Sequence, residues 1–291
     1  MVRRSFYRIG ICAVVAVALF GMQACSEDGD PVGPAQEEWP ALPEMSTMTM
    51  DLSFFGFAGA DAISVKKGAP SEALLAANTE RDNWINAVVR ALFVQLTIYA
   101  TFEAPVGAFA VAINSVPQPQ SDGSWLWTFI FAEDGIEYSI FLYGMELQTE
   151  IDWRMEVSSN DPSFTLDRFV WFDGRSQLDE SGGYWQFYYP VLASGPPTAG
   201  VPVIRIDWLD APNGDHLLTI LNNEVSGPDE GDTVVLSETA TISFIEMTDV
   251  SIPEVHNITW LADGSGSITV PDYNNGLIAC WDQQGKNTVC P

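Results

Sequence analysis

The chain has two imidazoles, His216 and His256, each beside a predicted strand. An imidazole gains or loses its proton near neutral pH, so either is a candidate general base or metal ligand. Neither has a second histidine at ligand spacing, and a zinc site needs several such donors. A hydrolase would need one of them within hydrogen-bond reach of a serine and a carboxylate. Ser64-Val65-Lys66-Lys67 has the Ser-x-x-Lys spacing without the partner motifs of a serine–lysine acylating site, and coincidence is the better account. There is no Gly-x-Ser-x-Gly, no His-Glu-x-x-His and no phosphate-binding glycine loop. Asp229-Glu230-Gly231-Asp232 gathers three carboxylates round a glycine, and Asp28 and Asp30 bracket another. Calcium takes about six to eight oxygens, which neither loop's pattern supplies, so both read as solvated acidic turns. The chain reads as a non-enzyme with no cofactor or metal.

Tryptophan is the more informative side chain. Trp171, Trp208, Trp260 and Trp281 each stand just before a predicted turn ("WFDG", "WLDAPNG", "WLADG", "WDQQG"). In a meander the turns alternate between the two ends of the sheet. These four then gather at one rim, provided that "DTVVLSETATISFIEM" is two strands. If it is one, Trp260 and Trp281 move to the opposite end. Either the indoles close the end of a packed core, or they form a mouth for an apolar or sugar ligand.

The elements that would position these groups begin after an export signal. Arg3, Arg4 and Arg8 precede an apolar run, Ile11 to Phe20, which is shorter than the roughly 20 residues a membrane span needs. Residues 1–24 therefore read as a secretory signal peptide. "MQAC", ending at Cys25, resembles a bacterial lipobox, with Met22 where leucine is usual. That resemblance implies cleavage before Cys25 and its modification with fatty acyl (palmitate-type) chains. Ordinary cleavage near Ala24, leaving Cys25 as a thiol, is the alternative. Residues 25–39 form an acidic, proline-containing tether. Acidic residues after such a cysteine resemble surface-export signals, and Ser26 is not the aspartate that retains many lipoproteins at the inner membrane. The expected location is the outer membrane, on its periplasmic face or at the cell surface. With Cys12 removed and Cys25 acylated, Cys280 and Cys290 remain as an even pair in an exported chain, read as a disulfide across a hairpin centred on Gly285.

The full chain carries 12 basic and 39 acidic residues. Residues 1–24 remove three arginines and no acid, leaving 9 basic residues and a net charge of about −30. Such a field repels phosphate backbones and excludes nucleic acid as a partner. It leaves the acyl anchor as the attachment to membrane.

Residues 40–291 read as a single β-rich domain. One strand is expected within 40–55 ("STMTMDLSFF"). A helical segment covers about 71–114: Trp84, Val88, Leu92 and Leu96, with Ile85 and Val89, form one apolar stripe. Pro105 should break it and open a second short helix through Ile113. The period is two over about 124–291. In "QTEIDWRMEV", Ile151, Trp153, Met155 and Val157 share one face and Glu150, Asp152, Arg154 and Glu156 the other. "WLWTFIF" is apolar on both, so both of its faces should be covered. Turn signals at Asp134-Gly135, Asp173-Gly174, Pro212-Asn213-Gly214, Asp263-Gly264 and Gly285 divide the region into about thirteen strands of an antiparallel meander, which must curl or close. Helix first and a long curled sheet after resembles, in architecture alone, the open-barrel periplasmic lipoprotein carriers. The expected function is a lipid-anchored binding module for an apolar small molecule, partly lidded by residues 71–114. The alternative is a structural or protein-interaction component of the envelope with a solid core.

Overall fold

The computed structural model describes residues 39–50, 80–133, 135–162, 165–190, 200–252 and 254–291. Cys25, the signal and tether to Glu38, Ser64 to Lys67, residues 51–55 and 71–79, and the side chain of Leu96 lie outside the described residues. Residues 39–291 belong to one compact unit.

Period-two alternation produces a meander without crossovers. Its strands are β1 (Gln118–Pro119), β2 (Trp125–Glu133), β3 (Ile136–Glu146), β4 (Glu150–Ser159), β5 (Leu166–Gln177), β6 (Gly182–Pro190) and β7 (Gly200–Asp210). There follow β8 (His216–Asn222), β9 (Thr233–Glu238), β10 (Ile242–Asp249), β11 (Glu254–Leu261), β12 (Gly266–Thr269), β13 (Ala279–Trp281) and β14 (Asn287–Thr288). All fourteen lie in one sheet in sequence order, and each described pair is antiparallel. "DTVVLSETATISFIEM" is two strands, β9 and β10. β1 and β14 do not pair with each other, so the sheet stays open.

The gap between its edges is bridged by α1 (Asp82–Ile113), which packs on β12, β13 and β14 at one side and on β2 and β3 at the other. α1 runs unbroken through Pro105. An internal proline costs about 3 kcal/mol, but the turns beyond it bury Val106, Ala108, Phe109 and Ala112, and that burial outweighs the lost hydrogen bond. Of the strand expected within 40–55, the described part to Met50 is instead a 3₁₀ turn, Met45–Thr47, followed by buried Met48 and Met50. "WLWTFIF" is covered on one face only. α1 and the core take Trp127, while Ile130 on the other face is 66% exposed.

The inner face is a register of large and absent side chains. Trp153 stands opposite Gly144 and Gly174, Trp185 opposite Gly174, Trp208 opposite Gly183, and Trp281 opposite Gly266. A Cβ placed on Gly144, Gly174, Gly183 or Gly266 would fall 2.6, 2.4, 2.5 or 2.3 Å from the facing indole. Each indole therefore lies flat over the bare backbone of its neighbour. This is why Asp173-Gly174 is no turn but the interior of β5. Buried in this way, each tryptophan removes roughly 150–250 Å² from water, an upper estimate of about 4–6 kcal/mol before ordering costs.

The outer face of β3 to β7 is polar and ion-paired. Arg175 meets Asp152 at 2.6 Å and Glu150 at 2.9 Å, and Glu156 sits between Arg154 at 2.8 Å and Arg168 at 2.6 Å. Arg168 lies 3.8 Å above the Phe141 ring and donates to the Tyr143 hydroxyl. Arg205 lies 4.0 Å above Tyr184.

Candidate binding cleft

α1 is fixed at both ends. Asn83 Nδ2 donates to the Cys280 carbonyl at 2.7 Å, and the Tyr273 hydroxyl donates to Asn83 Oδ1 at 2.6 Å. The β13–β14 hairpin beneath is closed by the Cys280–Cys290 disulfide, with Cα atoms 5.3 Å apart. At the other end Phe109 packs edge-on against Phe172 at 6.1 Å and Trp185 at 5.4 Å. Trp185 Nε1 donates to Thr47 Oγ1 at 3.1 Å, tying down the 3₁₀ turn.

Between these anchors the helix spans a single inner-face row of the sheet. Read across the strands, that row runs Trp125, Gly144, Trp153, Gly174, Trp185, Ile206, Ile220, Val234, Met247, His256. Indoles fill the space under α1 on the β4–β6 side. On the β9–β11 side valine, methionine and histidine do not reach as far, and a cleft of about 500 Å³ remains. Val89 and Val94 of α1 face Val234 and Met247 across it; Arg90, Asp232, Asp249 and His256 supply its ionisable groups, beside Asn86, Thr233 and Thr248.

Arg90 Nη2 donates to both carboxylate oxygens of Asp272, at 2.8 and 2.9 Å, while its buried Nε has no partner. The guanidinium holds the Asp272 carboxyl below its ordinary range, with a smaller contribution from His256. His256 Nε2 lies 3.7 Å from Glu254. Asp249 is held low chiefly by the Ser251 hydroxyl. Burial pushes Asp232 up; the Val250 N–H opposes this, and the nearby charges of Asp249 and Asp229 add to it. The turns at this rim expose Val225, Val250, Ile252, Leu277 and Ile278, each at least half exposed.

His216 stands elsewhere, its Nδ1 2.6 Å from Asp210 Oδ1. Asp210 borders a second cleft, of about 410 Å³, lined by Glu44, Asp179, Glu180 and Ser181. Among the described residues neither imidazole is hydrogen-bonded to a serine hydroxyl. In the Asp229 to Asp232 loop, Glu230 accepts the Ser226 N–H at 2.7 Å and Asp232 accepts the Val250 N–H at 3.0 Å. Among the described residues no three or more His, Cys, Asp or Glu side chains are grouped to hold a metal ion, and no helix is long and apolar enough to cross a membrane.

Trp208, Trp260 and Trp281 occupy the inner face near the ends of β7, β11 and β13, at one rim, and all are buried. Trp208 stacks on Trp185 with centroids 5.3 Å apart, and Trp260 packs tilted against Trp281 at 4.7 Å. Their rings face one another and the glycines, so they offer no surface to a ligand. Trp171 is apart from them, half-buried in mid-strand at a bulge of β5. Sequence reasoning missed the cleft, whose members are common aliphatics joined only by register. The one legible signal was His256, an imidazole on the inner face of an apolar strand. No protein-family model matches the chain, and no curated protein is measurably similar to it in sequence.

Proposed function

We propose that this protein is a lipid-anchored binding protein of the bacterial envelope, attached through Cys25 at the outer membrane, that takes an apolar ligand into the cleft between α1 and β9–β11. The supporting observation is the cleft itself: Val89, Val94, Val234 and Met247 line a space of about 500 Å³, within the range usual for small-molecule sites. The exposed aliphatics of the adjoining turns give such a ligand an apolar path to the mouth. Catalysis has no comparable support.

The test uses the exported chain with Cys25→Ala, which needs no detergent, and a neutral fluorescent probe such as N-phenyl-1-naphthylamine. One probe per chain should bind, and Val234→Trp should abolish binding without changing the far-UV circular dichroism. Absence of binding in the unblocked chain would favour the second reading, a ligand-free envelope interaction protein, for which the solid aromatic half under β4–β6 speaks. Intact-mass analysis of the exported wild-type chain tests the anchor: a mature N-terminus without acyl mass refutes it.

A further inference from the structure

Charge at the mouth of the cleft distinguishes among apolar ligands. Five elements bring ionisable groups there: Arg90 from α1, Asp229 and Asp232 from the turn before β9, Asp249 from β10, Glu254 and His256 from β11, and Asp272 from the turn after β12. Both cations face a carboxylate, although Arg90 Nε has no partner among the described residues. Arg90 is committed to Asp272 through two hydrogen bonds, and His256 faces Glu254. Asp232 and Asp249 line the cleft and accept hydrogen bonds from Val250, Ser251 and Ile252. Among the described residues neither has a basic side chain within 4.0 Å.

We infer that the ligand of this cleft is a cationic amphiphile, its apolar chain lying against Val89, Val94, Val234 and Met247 and its positive head held between Asp232 and Asp249. This rests on the binding reading above and narrows it. An anionic head would meet two carboxylates with no basic side chain of the described residues within 4.0 Å, in a strongly acidic chain, and a neutral head would bring them no counter-charge. A cation offsets the charge that Asp249 and Asp229 place beside Asp232 and favours its ionised form against the desolvation that raises it. The acidic field also concentrates cations at the mouth before they bind.

Calorimetry of the exported Cys25→Ala chain with dodecyltrimethylammonium, dodecyl maltoside and dodecyl sulfate, each below its micellar concentration, tests the assignment. The cationic probe should bind one to one, roughly tenfold tighter than the maltoside, the ratio that two partly buried ion pairs of ordinary strength supply together. The sulfate should not bind. Asp232→Asn with Asp249→Asn should erase the preference. Val234→Trp, or Val89→Trp should the first fail to fold, should remove one-to-one binding of every probe and so separates it from loose adsorption to the acidic surface. Equal affinity for all three heads, or a preference that survives the double asparagine variant, overturns the cationic assignment and leaves the cleft reading standing. No binding by any probe, or binding that persists with the cleft blocked, overturns both.

Discussion

Gly174→Ala is the sharpest test of the indole-over-glycine packing. A Cβ at this position would lie 2.3 Å from the Tyr184 carbonyl oxygen and 2.4 Å from Trp185 Cε3, whereas non-bonded carbons settle at about 3.5–4.0 Å. More than an ångström of displacement is therefore required. Trp185 cannot supply it: the ring is fully buried, stacked on Trp208, edge-on to Phe109 and Phe172, and hydrogen-bonded to Thr47. The oxygen belongs to a paired strand. Overpacking of this kind costs about 1–3 kcal/mol, and a site bounded by backbone belongs at the top of that range. Loss of glycine's unfolded-state freedom returns about 0.4–1 kcal/mol, leaving a net destabilisation of about 2 kcal/mol. For a unit of this size that lowers Tm by roughly 4–8 °C. Gly107→Ala is the matched control, because a Cβ there meets nothing within 4 Å, and in a helix it should stabilise by about 0.5–1 kcal/mol. Urea unfolding followed by tryptophan fluorescence, with near-UV circular dichroism to report the Trp185–Trp208 stack, reads both. If Gly174→Ala is as stable as the parent chain, the packing account is wrong.

Replacing Cys280 and Cys290 together by serine should lower stability by about 2–3 kcal/mol, the amount expected for a short closed loop; hydrogen exchange should show the first turns of α1 losing protection with it, since Asn83 is held by the Cys280 carbonyl. Asp122, Asp179, Asp249 and Asp263 each accept the hydroxyl of the serine two residues on, which holds all four carboxyls below their ordinary 3.8. Carboxyls lowered by folding stabilise the native state above the unfolded value and lose that contribution as pH falls through the folded one. Urea midpoints should therefore drop below about pH 4, and replacing Ser124, Ser181, Ser251 and Ser265 by alanine should flatten that limb while leaving its slope near neutrality unchanged. Glu156→Gln should cost about 1–2 kcal/mol, less than a fully buried pair because Arg154 and Arg168 are about half exposed; an unchanged urea midpoint would show that the pair contributes nothing.

Alternation made the sheet legible. In β4, Ile151, Trp153, Met155 and Val157 are all buried, as their shared face requires, and Gly135, Gly214, Gly264 and Gly285 all sit in turns at positive φ. What could not be read depends on partners distant in sequence. Gly174 after Asp173 looks like a turn until Trp185 is placed opposite it. Pro105 looks like a break until Phe109 is seen buried against two other strands. The candidate cleft was hidden for the same reason, since Val234, Met247 and His256 become neighbours only through the register of β9, β10 and β11. Of the two roles that the sequence left open for the four tryptophans, Trp208, Trp260 and Trp281 take the packed interior.

An open sheet of fourteen strands has two free margins, each a template on which another copy could add itself. Here both margins are nearly erased. β1 is two residues long and one of them, Pro119, has no amide hydrogen to offer; β14 is equally short and is followed at once by the cystine. A newcomer would find almost nothing to hydrogen-bond with, in a molecule whose negative charge already keeps its copies apart. The sheet can thus stay unclosed, its gap bridged by α1, while its margins offer little template for fibre growth.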